Sequence, residues 1–147
     1  FVGGYFNEPS HLDWTEETKD MYGHQGLVIP WTVSTLLEEA GFKDSYRTFF
    51  PSAVSHPGFT LPSANPYVDI QKLLWAADSD ERDRVDFIHY YPYDSLQLKD
   101  VVIWGPKESI KAGKVVTEQT EDPFVIGTGI WPTDHKAVLA TFSYTKD

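Results

Sequence analysis

The sequence has no cysteine, which excludes disulfide bridges and thiolate metal sites and leaves the compartment open. It has no apolar run near the roughly 20 residues that a bilayer-spanning helix needs, which excludes such a span. Basic residues are scarce: 12 Lys and Arg stand against 22 Asp and Glu, a formal net charge of −10. That balance argues against a broad electrostatic grip on nucleic acid, which normally needs a basic face. It does not exclude a phosphate substrate, because a divalent cation can invert the field of an acidic site.

Aromatic residues, by contrast, are plentiful, at 15% with five Trp and eight Tyr, against a hydrophobic content of 41% that is ordinary for a globular chain. Such rings pack well on half-buried sheet faces and imply many strands. A length of 147 residues is that of one domain with a core. The chain opens on Phe1-Val2-Gly3-Gly4, with no initiator Met and no basic n-region. This reads as the end of a buried strand, so residues preceding Phe1 are expected to belong to the same domain.

Phe1 to Tyr5 reads as a strand end, followed by a polar loop with Asn7, Pro9 and Ser10 as turn residues. His11 to Asp20 carries the signal for one short helical turn at most. Thr32 to Ala40 is the clearest helix: Val33, Leu36, Leu37 and Ala40 fall on one face, and Gly41 stands where a C′ glycine belongs. Asp69 to Ala77 is a weaker helix. Arg84 to Tyr91, Leu98 to Trp104 and Val138 to Tyr144 are strands rich in β-branched and aromatic residues. Helices interleave with strands, so the class is α and β together, α+β.

Four segments carry chemistry: Gly4-Tyr5-Phe6-Asn7, Phe42-Lys43-Asp44-Ser45-Tyr46-Arg47, Arg84-Val85-Asp86-Phe87-Ile88 and Thr133-Asp134-His135-Lys136-Ala137-Val138. Alone, each has a plain structural reading. His135 beside Asp134 is a solvated pair; Asp86 pairs with Arg84; Asp134 is an exposed loop residue; Asn7 is an Asx-turn residue before Pro9. Strand alternation sharpens one of these. Val85 and Phe87 face one way and Asp86 the other, so an inward Asp86 needs a partner.

Together, in this order and with Phe59-Thr60 between the second and third, the segments resemble the C-terminal half of the endonuclease/exonuclease/phosphatase superfamily, the fold of DNase I. The resemblance spans Phe1 to Phe142. The fold it implies is a four-layered α/β sandwich, to which this half contributes one mainly antiparallel sheet with covering helices. The domain reading is therefore 1–147 as a C-terminal half, its N-terminal half absent. The activity implied is metal-dependent hydrolysis of a phosphate mono- or diester by attack of water.

In the resemblance His135 is the catalytic histidine, and Asp86 the partner that fixes its tautomer. Asp134 is the carboxylate next to Mg²⁺ or Mn²⁺, cations that favour hard oxygen ligands. Asn7 donates to the attacking water or a phosphate oxygen. Tyr5 departs from the pattern, standing where the family has an aspartate. A phenol with a pKa near 10 offers one oxygen and stays protonated at neutral pH, so it does not replace a carboxylate. The remaining metal ligands lie in the family's N-terminal half, so this chain alone is expected to bind metal weakly and turn over little.

Two other readings stand beside the enzyme: a degenerate module that recognises a phosphate ligand or a protein without turnover, and an independent aromatic-rich β domain. Half a sandwich exposes the sheet face meant for its partner, so the missing half or self-association is expected. Nucleic acid remains open as a substrate but is not favoured by net charge. The Trp131-Pro132-Thr133-Asp134-His135 stretch resembles that of bacterial, exported phosphoesterases. Asp78 to Asp83 reads as a solvated charged loop. His11, His24 and His56 show no metal-ligand spacing, His89 reads as structural, and Arg47 as an anchor of the helix-to-strand connection.

Overall fold

A computed structural model describes residues 1–146 as a mixed α+β chain with eight strands and two short α-helices. The first sheet is antiparallel and has the order β1 (Val2–Tyr5), β3 (Asp86–Tyr90), β2 (Lys43–Asp44). Its register sets Tyr5 opposite Asp86 and Asp44 opposite His89. The second has the order β7 (Phe124–Val125), β4 (Leu96–Trp104), β8 (Ala137–Tyr144), with β4 parallel to β7 and antiparallel to β8. β5 (Glu108–Lys111) and β6 (Lys114–Thr117) form a separate hairpin. Three small sheets thus stand where one was expected. The first two meet through aromatic side chains: Phe142 of β8 lies edge-on to both Phe1 and Tyr90, with centroids 5.0 Å apart in each case.

Helix α1 (Thr32–Glu39) ends as its glycine predicts. Gly41 takes a φ of 87°, its N–H reaches Glu38 O at 2.8 Å, and Phe42 N–H reaches Leu37 O at 2.9 Å, the paired bonds of a Schellman cap. The predicted apolar face is covered only in part, however. Val33 and Leu37 are half-buried while Leu36 and Ala40 are exposed, and the residue α1 buries fully is Ser34. Asp69 to Ala77 is not a helix. It holds a single 3₁₀ turn, Ile70–Lys72, started by the Asp69 carboxylate accepting from Gln71 N. Ile70, Leu73 and Leu74, the three apolar residues on one side of the expected helix, did not suffice to nucleate an α-helix.

Helix α2 (Ser45–Phe49) was not foreseen. Asp44 is its N-cap, accepting from Tyr46 N at 2.9 Å and Arg47 N at 3.2 Å. Arg47 therefore sits within a helix instead of a simple connection. α2 drives Tyr46 into the apolar core, where it meets Val101 and Ile103 of β4 together with Phe50, Leu98, Phe124, Val138 and Ala140.

Much of the remaining interior is charged. Arg84, fully buried, bonds Asp13 through Nε at 2.9 Å and pairs with Asp44 through Nη1 at 2.6 Å. Arg47 reaches the same Asp13 at 2.7 Å. Burial pushes the Asp44 carboxyl up, but the Arg84 guanidinium and the backbone N–H of Arg47 outweigh it and hold the carboxyl below its usual range. This network clamps the loop at Asp13, the start of α2 and the residues leading into β3 onto one another. The Asp78–Asp83 stretch is likewise no solvated loop. Arg82 joins Asp80 at 2.8 Å to Glu118 at 2.7 Å, all three nearly buried.

Candidate active site

β1 delivers Tyr5 and the turn after it Asn7, β3 delivers Asp86, and the loop before β8 delivers Asp134 and His135. Three features set that convergence. β1 and β3 are paired so that Tyr5 faces Asp86 across the ladder. Thr60, fully buried, accepts from both Val85 N at 3.0 Å and Asp86 N at 3.2 Å, and its own carbonyl accepts from Lys136 N at 2.7 Å. One threonine therefore joins the start of β3 to the residue after His135. Trp131 Nε1 then donates to His135 O at 2.7 Å, and Ser63 N to Asp134 O at 2.6 Å.

With the backbone so held, His135 Nδ1 and Asp86 Oδ2 lie 2.8 Å apart. Asp86 is partnered by His135 and not by Arg84, whose bonds go to Asp13 and Asp44. Strand parity predicted that outcome: Val85 and Phe87 are buried on the opposite side. With Asp86 on Nδ1, Nε2 is the ring nitrogen of His135 left for another partner.

Tyr5 packs its ring edge-on to His135, centroids 4.7 Å apart at 73°, and donates its hydroxyl to Asn7 Oδ1 at 2.5 Å. Asn7 has a φ of 58°, the left-handed conformation that Asn tolerates best among non-glycine residues, and its amide N–H₂ remains free to donate. Asp134 accepts a long bond from Thr133 Oγ1, 3.4 Å, which leaves most of its carboxylate capacity open. Tyr5, Asp134 and His135 line one cavity of about 540 Å³. The five candidate residues read from the sequence are therefore gathered, three on the cavity wall, Asp86 attached through His135 and Asn7 through Tyr5.

The same cavity is walled by residues that sequence reasoning passed over: Leu73, Trp75, Glu81 and Asp83. Trp75 is 93% exposed, and Glu81 holds its backbone by accepting from Trp75 N at 3.0 Å and Ala76 N at 2.7 Å. Asp83 is fixed by backbone bonds to Leu61 and accepts from Trp14 Nε1 at 3.0 Å. Burial, with repulsion from Asp13 and Asp80 and against the Trp14 bond, pushes its carboxyl up to about 7. The available signal was position: both acids lie within six residues of Asp86 in a stretch read as solvated.

As to metals, no group of three or more His, Asp or Glu able to hold an ion occurs among the described residues. Asp134 fits as one hard-oxygen ligand of a Mg²⁺ or Mn²⁺ site, not as a complete site. No helix among the described residues is long and apolar enough to cross a membrane.

No family model matches the chain, and no solved structure matches it. An uncharacterized protein of Caenorhabditis elegans is 33% identical over 149 residues, an alignment covering 98% of this chain and 40% of that protein. The chain thus spans well under half the length of this relative.

Proposed function

We propose that the chain is the C-terminal half of a metal-dependent phosphoesterase domain of the endonuclease/exonuclease/phosphatase superfamily, one half of its four-layered sandwich. Its reaction is hydrolysis of a phosphate mono- or diester by attack of water. The observation that carries this reading is the 2.8 Å contact between Asp86 and His135, 49 residues apart, with His135 lining a cavity together with Asp134 and Tyr5. Unrelated solvent-facing residues have no reason to converge in this way.

In this reading Asp86 orients His135 and stabilises its charged form, while Nε2 donates to a phosphoryl oxygen or exchanges a proton with water. Asn7 directs its amide N–H₂ at the water or the phosphate. A divalent cation, when bound, polarises the phosphoryl group, and Asp134 would hold it with ligands from the other half. The net charge of −10 favours a small phosphate ester over a long nucleic acid.

Tyr5 supports a second reading, a binding module without turnover. Its hydroxyl donates to the Asn7 oxygen and its ring covers one side of His135, so a phenol fills the place of a carboxylate. Phosphodiesterase assays on the protein extended to the length of its nematode relative, with Tyr5 and with Tyr5→Asp, separate the two. Turnover of the Tyr5→Asp form with Mg²⁺ supports the phosphoesterase; silence of both forms on diesters and monoesters removes it.

A further inference from the structure

The cavity of about 540 Å³ that holds Asp134 and His135 has a side that the proposed reaction leaves unused. Leu61, Pro62 and Leu73 give it apolar wall, and Trp75 lines it with 93% of its own surface in solvent. Both faces of that indole are therefore free, and no other side chain here offers a ligand so much apolar area to cover. The backbone that carries the ring is nonetheless fixed. Glu81 accepts from Trp75 N at 3.0 Å and from Ala76 N at 2.7 Å, which closes the loop between them and keeps a carboxylate beside the tryptophan.

Charge selects among ligands for this side. Glu81, Asp83 and Asp134 line the cavity, and no Lys or Arg among the described residues does. The Tyr5 hydroxyl is spent on Asn7. Burial keeps Asp83 protonated up to about 7, so the fixed charge at the Trp75 end is that of Glu81. Such a wall repels an anion, and a neutral ring leaves the carboxylate unanswered. Nor is the Trp75 end a metal site of its own: no group of three or more His, Asp or Glu among the described residues converges to hold an ion, and divalent cations need several close oxygens. A methylated ammonium differs from both. Its charge is spread over methyl groups, which pack on apolar walls and on the negative face of an indole, and it needs no convergent ligands. We infer that this side of the cavity binds a tertiary or quaternary ammonium group against the Trp75 ring, with Glu81 supplying the opposing charge. The volume lies within the range of ligand pockets, about 300–1,000 Å³. The inference goes beyond the phosphoesterase reading: binding needs no turnover, so either can fail without the other.

The test is an NMR titration of the ¹⁵N-labelled protein, extended to the length of its nematode relative, with tetramethylammonium. The uncharged near-twin tert-butanol and the bare cation potassium serve as comparison probes. Tetramethylammonium is expected to give saturable shifts in the millimolar range at the Trp75 indole N–H and the Ala76 amide, while the other two probes do not. Trp75→Leu keeps an apolar side chain and removes the ring. Read at the Ala76 amide, it weakens binding about three- to thirtyfold, the scale of a cation–π contact. Glu81→Gln keeps an oxygen for the two backbone N–H groups and removes the charge, and weakens binding about two- to fivefold. Trp75 is exposed, so its replacement leaves the fold intact. Absence of a saturable response, equal binding of tert-butanol or potassium, or an unchanged affinity in Trp75→Leu overturns the proposal.

Discussion

At the scale of single residues, Asp86 and Tyr5 show what strand parity and side-chain chemistry decide between them. Parity put Asp86 on the inward face, and the structure gives it His135 as partner. In the extended protein carrying Tyr5→Asp, Asp86→Asn is expected to lower turnover by about 10²–10⁴ with little change in KM. Steady-state kinetics check this, and an unchanged turnover would reduce the dyad to a structural pair. Asp83 gives a pH signature. Its folded pKa of about 7 lies above the unfolded carboxyl's model value of 3.8, so the folded state binds the extra proton between them. The stability this group contributes is full below the unfolded value and is lost as pH rises through about 7. Urea unfolding of wild type and Asp83→Asn across that window is expected to show a decline in wild type that is smaller in the variant. Parallel curves would place the carboxyl in a solvated setting.

At the scale of elements, the sequence disclosed what periodicity and punctuation can disclose. β1, β3, β4, β8 and α1 were readable from β-branched and aromatic runs or from a 3.6-residue pattern ending in glycine. The Gly41 cap is a consequence that can be checked. A Cβ there would take φ 87° and lie 3.1 Å from Tyr91 Cε2. Gly41→Ala is expected to cost about 1 kcal/mol or somewhat more in chemical denaturation, and no loss would contradict the cap. Elements that were missed are short or held by distant groups. α2 has five residues and rests on the Asp44 cap, a signal present in Asp44-Ser45-Tyr46-Arg47 but weak without the Arg84 pair behind it. The β5–β6 hairpin turns through Ala112-Gly113 at φ 47° and 71°, a turn that glycine announces and that was overlooked. Glu81, Asp83 and Arg82 were misread because charge alone suggested solvent. Their partners, Trp75, Trp14 and Glu118, are 6, 69 and 36 residues away. Windowed reading does not see a hydrogen bond closed across 69 residues or an ion pair closed across 36.

At the scale of the whole molecule, the exposed surface carries apolar side chains that the proposed second half of the sandwich would cover. All four residues of β1 are exposed, and Phe1, Trp104, Val125, Ile126 and Leu139 leave large apolar area in water. Sedimentation at tens of micromolar is expected to show self-association, reduced by Leu139→Lys. A monodisperse monomer would favour an independent domain. The account as a whole depends on one position. In the protein extended to the length of its nematode relative, Tyr5→Asp is expected to raise Mg²⁺-dependent hydrolysis of a chromogenic phosphodiester by about 10²–10⁴ over the Tyr5 form. Equal rates for the two forms, or no hydrolysis by either, would contradict the reading of this cavity as a phosphoesterase site.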